Sequence, residues 1–221
     1  MIFKIVHFFA RLFTILTMDL HVTGKERIPE KGGCIIAANH LGRLDVVLVY
    51  DFLSRKDIIL IVAEKYKKYA FVRWLTRGLN ATFIDRYNAD FSTTRVVLQR
   101  LKQGEVFVVS PEGTRSPTGA LLEGHQGAAY LASKSGVPVI PVGVTGTEDS
   151  LARKQLPRLH RVRVNGRIGE PFIISPLPRE NRDAFLKEQT DDLMCRIAAL
   201  LPPAYRGVYA EHPRLKEFLD K

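Results

Sequence analysis

A histidine and an aspartate five residues apart, His40 and Asp45, are the first candidates for chemistry in this chain of 221 residues. His40 follows the apolar run 34–38, which has the length and composition of a buried strand, and Asp45 precedes an apolar run that can form a helix. A carboxylate that fixes the tautomer of a histidine makes it a general base, which typically raises a rate by about 10²–10⁴. On the spacing alone, an ordinary turn in which Asp45 caps the helix beside a hydrogen-bonded His40 is the favoured alternative.

Two arginines that follow predicted strands supply groups for binding an anion. Arg115 lies in the loop 112–115 after one apolar run, and Arg86 lies just beyond another. Ligands of α/β sheets collect at the carboxyl ends of the strands, and a guanidinium binds phosphate through a bidentate fork. The alternative for each arginine is an ion pair with a nearby acid, Glu112 or Asp85. Neither ion pair explains why both arginines and the His–Asp pair all follow predicted strands.

Several common catalytic motifs are absent from the sequence. It has no Gly-x-Ser-x-Gly nucleophile elbow and no evident Cys–His pair, so a base at His40 would activate a hydroxyl of the substrate. It has no Gly-x4-Gly-Lys-Ser/Thr loop, which argues against nucleotide hydrolysis. Its His, Asp and Glu residues lack the clustered spacing of metal ligands, and we expect no metal site.

The elements that must position these groups form an α/β pattern. Apolar runs alternate with segments of helical spacing, which predicts a single α/β domain with a mixed, largely parallel sheet flanked by helices. The predicted strands are 34–38, 57–63, 81–84, 105–109 and 137–144, with an edge strand within 19–28. The predicted helices are 90–102, 126–135, 181–201 and a short one in the C-terminal tail. Asn165-Gly166 predicts a hairpin over 158–174.

Residues 1–17 form an apolar segment with a narrow polar stripe of residues at steps of three and four, Lys4, His7, Arg11 and Thr14. A helix of this length is about 25 Å long, which is short of the hydrocarbon core of about 30 Å. We therefore predict an amphipathic helix lying on a membrane surface, followed by the α/β domain over 18–221. Its lipid-facing side chains would be Phe3, Phe8, Phe9, Leu12 and Phe13. The alternatives are a helix docked on the core and a signal peptide, for which no small-residue cleavage site follows.

The charge balance favours an anionic partner. Lys and Arg total 33 against 23 acidic residues, a net charge of +10, which suits an anionic membrane face or a phosphorylated molecule. The basic residues are spread along the chain without a recognised nucleic-acid-binding module, so we expect no nucleic-acid partner. Basic and aromatic residues are mixed over 65–77, where a solvated helix face is favoured over a second contact with lipid or with a phosphorylated donor. Cys34 and Cys195 are too few for a disulfide framework, which favours a reducing, cytoplasmic compartment.

Four blocks of the sequence together resemble the 1-acylglycerol-3-phosphate acyltransferases and related glycerolipid acyltransferases. The blocks are Asn39-His40-x4-Asp45, Phe83-Ile84-Asp85-Arg86, Pro111-Glu112-Gly113-Thr114-Arg115-Ser116 and Val137-Pro138-Val139-Ile140-Pro141-Val142. They occur in this order between residues 37 and 145, and the third block is the most distinctive. The N-terminal apolar segment also resembles the membrane-associating segment of this family.

The resemblance implies an activity and a role for each block. These enzymes transfer a fatty acyl group from coenzyme A or acyl carrier protein to the sn-2 hydroxyl of a lysophosphatidate, with no further cofactor and on a glycerol-3-phosphate acyltransferase-like fold. By likeness, His40 would be the general base and Asp45 its orienter. The glycerol phosphate would be held by Arg86, Glu112, Gly113, Thr114 and Arg115, and the acyl or donor site would be shaped by Val139, Ile140 and Pro141. The enzyme would act at the cytoplasmic face of an anionic membrane, as a peripheral or monotopic protein.

This chain departs from the family pattern at two places. Gly42 stands where the family often has a small hydroxyl residue, and Gly124 and His125 stand where many members have a phenylalanine and a lysine. These departures leave another lysophospholipid or a lyso-aminolipid open as the acyl acceptor. A thioester hydrolase and a non-catalytic membrane-binding protein are the alternatives from other classes.

Overall fold

The apolar run Cys34–Ala38 forms a buried strand, and helices cover both of its faces. Alternate side chains enter two cores: Ile35 and Ala37 pack with helices on one side of the sheet, and Cys34 and Ile36 pack with helices on the other. This double burial is the reason that the run is apolar throughout and does not alternate. The structure, a computed structural model, describes residues 2–53, 55–59, 61–79, 81–84 and 91–219.

The described residues contain eight strands and eight α-helices. The strands are β1 (Met18–Thr23), β2 (Cys34–Ala38), β3 (Ile58–Ile59), β4 (Ile61–Ala63), β5 (Thr82–Ile84), β6 (Val106–Val109), β7 (Val139–Thr145) and β8 (Val162–Ile168). The helices are α1 (Ile2–Thr17), α2 (Asp45–Phe52), α3 (Ala70–Gly78), α4 (Phe91–Lys102), α5 (Gly127–Ser135), α6 (Asp149–Gln155), α7 (Arg182–Ala199) and α8 (Lys216–Leu219). These bounds follow the predicted elements closely outside two regions.

Six of the strands form one sheet in the order β1-β8-β7-β2-β6-β3, and β4 and β5 form a separate parallel pair. β2 lies between β6 and β7 and is parallel to both. β8 is antiparallel to β7, which makes the sheet mixed, and β1 is the predicted edge strand. Because β2, β6 and β7 run in the same direction, the segments that follow them meet at one edge of the sheet. His40 follows β2 and the loop 112–115 follows β6, so both lie at that edge.

The hairpin prediction over 158–174 is wrong. Asn165 and Gly166 lie inside β8, a continuous strand that pairs with β1 on one side and with β7 on the other. A two-residue turn at Asn-Gly requires positive φ at both positions, and neither residue has one. Buried and exposed residues alternate over the whole of β8, and this pattern outweighs the local turn signal.

The predicted strand 57–63 is divided between the two sheets. Ile58 and Ile59 pair with β6 in the main sheet, whereas Ile61 to Ala63 pair with β5. An apolar run of this length indicates a strand but carries no information on where the strand changes partners.

Helix α1 packs on α2 and β1 and also contacts α3. The predicted polar stripe does not all face water, because Thr14 is buried and donates its hydroxyl proton to the carbonyl of Ala10. Lys4 and Arg11 of the stripe are exposed, but most of the exposed side chains of α1 are apolar, and Phe8 and Phe9 are each 61% exposed. Over the stretches that the structure describes, no helix has the length and hydropathy needed to cross a membrane.

Candidate active site

The candidate His–Asp pair is a close contact. His40 lies just beyond the end of β2 and Asp45 begins α2, and the distance from His40 Nδ1 to Asp45 Oδ2 is 2.7 Å. An ionised carboxylate only accepts hydrogen bonds, so Nδ1 donates and the lone pair of a neutral imidazole lies on Nε2. His40 is 30% exposed in its side chain and Asp45 is 15% exposed. The arrangement leaves Nε2 as the atom that can accept a proton.

The same carboxylate oxygen also organises the loop between the two residues. Asp45 Oδ2 accepts the backbone N–H groups of Leu41 at 2.8 Å and Gly42 at 3.1 Å. The two interpretations of the sequence are therefore compatible, because Asp45 closes the turn and binds the histidine with one oxygen. The turn fixes the carboxylate, and the carboxylate fixes the tautomer of His40.

The backbone of His40 is held from the other side by the loop after β6. Glu112 is only 2% exposed, and its Oε1 accepts the His40 N–H at 2.9 Å while its Oε2 accepts the Leu122 N–H at 2.9 Å. The Ser116 N–H in turn donates to the carbonyl of His40 at 2.8 Å. Burial raises the pKa of the Glu112 carboxyl, and the two backbone hydrogen bonds act in the opposite direction. The sequence assigned Glu112 to the anion site, whereas its contacts place it behind His40 as a support of the loop.

Asn39, which the first sequence block contains but to which sequence reasoning assigned no role, joins β2 to β7 just before the histidine. Its side-chain amide donates to the Val144 carbonyl at 2.8 Å and accepts from the Val144 N–H at 2.7 Å. Asn39 is 4% exposed, so both hydrogen bonds are shielded from water. The amide continues the backbone ladder with a side chain and fixes the direction in which the chain leaves the sheet.

A large apolar groove of about 2040 Å³ opens beside the dyad. His40, Asp45 and the loop residues Gly113, Thr114 and Arg115 all line it. Most of its remaining wall is aliphatic or aromatic and comes from α1, α2, α3 and the ends of the central strands. Its volume exceeds that of common small-molecule pockets, which run to about 1,000 Å³. The groove therefore suits a substrate with long hydrocarbon chains.

The predicted acyl-site residues of β7 do not line this groove. Val139, Ile140 and Pro141 are all buried in the strand, and the β7 residues in the groove wall are Val142 and Val144. The strand assignment was right, but only the last residues of β7 reach the groove. Of the predicted membrane residues, Phe9, Leu12 and Phe13 line the groove from α1, Phe8 faces outward and Phe3 is half-buried.

Arg115 is paired with Asp149, which sequence reasoning did not identify. Arg115 Nη1 donates to Asp149 Oδ2 at 2.7 Å, and Asp149 Oδ1 accepts the Arg43 N–H at 2.9 Å. The hydrogen bond from Arg43, together with the charge of Arg115, holds the pKa of Asp149 below its ordinary value. Arg115 remains 43% exposed in its side chain, so part of its guanidinium stays open to a ligand. The local pair with Glu112, the alternative from the sequence, is not formed.

His125 lies in the groove wall, and its Cδ2 would be 2.9 Å from a β-carbon on Gly113. Arg86, the second predicted anion-binding arginine, lies outside the described residues. Among the residues that are described, no group of three or more His, Cys, Asp and Glu side chains is arranged to hold a metal ion.

A mixed α/β domain with a His–Asp pair, an exposed arginine and an apolar groove has the parts of an enzyme that transfers acyl chains. The model of the family described as Acyltransferase matches residues 19–145, and the chain belongs to this family. It is therefore an acyltransferase, as the four sequence blocks predict.

Individual relatives agree with this assignment. The 1-acyl-sn-glycerol-3-phosphate acyltransferase of Salmonella typhimurium is 28% identical over 202 residues, which cover 88% of this chain and 76% of the relative. The enzyme of the same name from Bacillus subtilis is 25% identical over 170 residues, covering 76% of this chain and 82% of the relative. For a chloroplastic enzyme of Brassica napus, 26% identical over 157 residues, the match spans only 43% of the relative.

A solved structure has the same fold. The crystal structure of the 1-acyl-sn-glycerophosphate acyltransferase of Thermotoga maritima superposes with a TM-score of 0.65 at 31% sequence identity, over 86% of this chain and 79% of that one. The predicted fold class, a single α/β domain with a largely parallel mixed sheet flanked by helices, is confirmed.

Proposed function

We propose that this acyltransferase moves a fatty acyl group from a thioester donor to the sn-2 hydroxyl of 1-acylglycerol-3-phosphate and so makes phosphatidate. The observation that carries the proposal is that the His40–Asp45 pair, the exposed Arg115 and a large apolar groove share one cavity. The names of the Salmonella and Bacillus relatives support the same acceptor. The donor would be acyl-coenzyme A or acyl carrier protein, which are co-substrates, and no cofactor enters the proposal.

The reaction is a direct transfer with His40 as general base. Nε2 of His40 takes the proton of the acceptor hydroxyl as the hydroxyl oxygen attacks the thioester carbonyl. The tetrahedral intermediate then collapses, the carbon–sulfur bond breaks, and the departing thiolate takes the proton from the imidazolium. Asp45 stabilises the imidazolium between these steps through the hydrogen bond from Nδ1. Because a thioester is already activated, positioning of the two substrates supplies much of the rate.

The phosphate of the acceptor would bind at Arg115. Its Nη1 is engaged with Asp149, and a guanidinium has five N–H donors in all, so other donors remain for phosphate oxygens. The hydroxyl of Thr114 and the turn at Gly113, where φ is +66°, lie next to it. Arg86 is proposed as a second contact from the sequence alone, because it follows a predicted strand and lies in a block that resembles the family.

The acyl chains would lie in the apolar groove, and the enzyme would sit at the cytoplasmic face of an anionic membrane. A single-chain lysolipid partitions into the bilayer, and the exposed phenylalanines of α1 lie beside the groove that would receive it. In this proposal residues 1–17 are the interfacial helix and 18–221 the catalytic domain.

One assay tests the function and its alternatives. The purified enzyme is incubated with lysophosphatidate and either acyl-coenzyme A or acyl carrier protein thioester, and the products are identified by mass spectrometry. We expect phosphatidate from the wild type and almost none from His40→Ala. Undiminished product from His40→Ala would show that the base is wrong. Thioester cleavage without acceptor would indicate a hydrolase, and faster transfer to a lyso-aminolipid would indicate another acceptor.

A further inference from the structure

The short helix α3 and the turn before it expose an unusual number of aromatic rings. Phe71 is 68% exposed, Trp74 52%, Tyr69 51% and Tyr66 45%. The rings of Phe71 and Trp74 contact each other, with centroids 5.9 Å apart. Large apolar side chains clustered on a surface mark a site of contact with a partner or a membrane, because their exposure to water is unfavourable.

This aromatic surface continues the apolar surface of α1. Tyr66, Phe71 and Trp74 line the same groove as Phe9 and Leu12 of α1, and the two helices contact each other. The groove therefore opens between two elements that both present apolar side chains to the outside. A partner seated on one rim would also cover the other.

The charge around α3 indicates what the partner is. Residues 61–79 contain five Lys and Arg residues and one acid, Glu64. Lys67, Lys68, Arg73 and Arg77 are all exposed, and Glu64 pairs with Lys67 at 3.2 Å, which leaves a net positive charge around the rings. Exposed aromatic rings flanked by Lys and Arg are the composition of protein segments that sit at the headgroup level of anionic membranes.

We propose that α3 and the turn 64–69 form a second membrane-docking element, which seats its aromatic rings in the headgroup region of an anionic phospholipid bilayer. The bilayer then closes the groove on both rims, through α1 on one side and α3 on the other. The lysolipid enters and the product leaves laterally between the two helices, without crossing water. This path deepens the proposed function and rests on it, whereas the docking itself does not require acyl transfer.

Trp74 provides a direct test because it is the only tryptophan in the chain. The full-length protein is mixed with vesicles of phosphatidylcholine and phosphatidylglycerol, and its tryptophan emission is recorded. We expect a shift to shorter wavelength and quenching by lipids with brominated acyl chains, both of which weaken as salt is added. Protein that sediments with the vesicles while its emission stays unchanged and unquenched would overturn the proposal, since binding would then involve α1 alone.

Substitutions separate the membrane from other occupants of this surface. Phe71→Ser is expected to lower the vesicle partition coefficient about tenfold, because the transfer of a phenylalanine side chain from water to an apolar environment favours binding by at least this factor. The matched control is Val208→Ser, an equally exposed apolar residue (64%) that does not line the groove, and it should leave partitioning unchanged. Equal loss in both variants would contradict the proposal.

Two further measurements distinguish the ways in which the proposals can fail. If analytical ultracentrifugation shows that the wild type is a dimer and Phe71→Ser a monomer, the aromatic surface binds a second copy of the chain and the membrane proposal is wrong. If emission shifts on vesicles but the enzyme transfers no acyl group to any acceptor, the docking stands and the proposed function fails.

Discussion

A β-carbon on Gly42 would lie 2.0 Å from the carbonyl oxygen of Thr147. The loop that carries His40 thus meets the segment before α6 backbone to backbone, and nothing larger than a hydrogen fits between them. Asp149, two residues further along, accepts the N–H of Arg43 from the same loop. The glycine that departs from the family pattern is therefore a packing requirement of this chain, whatever its effect on the acceptor.

Gly42→Ala should destabilise the protein and slow catalysis together. The new methyl group must displace backbone, and overpacking of this kind costs about 1–3 kcal/mol, while the displaced loop carries the general base. Urea unfolding and kcat measure the two effects. The control for stability is Gly127→Ala, at the start of α5, where a β-carbon meets nothing within 4 Å. Wild-type stability and kcat in Gly42→Ala would show that the loop can shift freely.

His40 and Asp45 should differ in their effects on stability. His40→Gln removes the base and is expected to lower kcat by about 10²–10⁴ with little change in the free energy of unfolding. Asp45→Ala removes an acceptor shared by His40 Nδ1 and two backbone N–H groups, so it should lower kcat and also destabilise the fold by about 1–3 kcal/mol. Circular dichroism under urea, together with kcat, separates the two variants. Equal stability in both would mean that the loop does not depend on the carboxylate.

The dyad could be predicted from the sequence because its two residues are close along the chain and follow a strand whose composition is diagnostic. The pairings that complete the site could not be predicted in this way. Asn39 binds Val144 across 105 residues, and Arg115 binds Asp149 across 34. No local pattern encodes such pairings. The same limit explains the wrong hairpin prediction at β8. The Asn-Gly signal is local, whereas β1 and β7, the strands that pair with β8 and keep it continuous, are distant from it or run beside it only in the folded chain.

Replacement of Asn39 by the isosteric aspartate should destabilise the protein. In the wild type, Nδ2 of Asn39 donates to the Val144 carbonyl. In Asn39→Asp a carboxylate oxygen takes the place of this donor, so two acceptors face each other. A buried carboxylate in this position would have a raised pKa, because burial and the carbonyl both favour the protonated form. Stability of the variant should therefore be higher at low pH and fall as pH rises through that pKa. Unfolding measured from pH 4 to 8, with the wild type alongside, tests this; a parallel pH dependence in both proteins would contradict it.

Asp149 should give stability that is present at neutral pH and lost in acid. The N–H of Arg43, and then the charges of Arg115 and its neighbours, lower its pKa from an ordinary value of 3.8. The unfolded chain therefore binds a proton before the folded one does, and the stabilisation is complete above the ordinary value and disappears as pH falls through the lowered one. The difference in unfolding free energy between wild type and Asp149→Asn should be constant above about pH 5 and shrink in acid. A difference that grows in acid would reverse the assigned sign.

Arg115 should act on the phosphate of the acceptor and not on the thioester. A hydrogen bond to a charged group contributes about 1.5–3 kcal/mol, so Arg115→Ala is expected to raise the KM for lysophosphatidate about 10- to 100-fold. The KM for the acyl donor should change little, because the groove and the dyad are intact.

The control for a general loss of positive charge is Lys154→Ala, which removes an exposed cation of α6 outside the groove wall. Steady-state kinetics with lysophosphatidate and with monoacylglycerol, which lacks the phosphate, make the comparison decisive. An equal loss with both acceptors would mean that Arg115 stabilises the loop, through Asp149, without touching the phosphate.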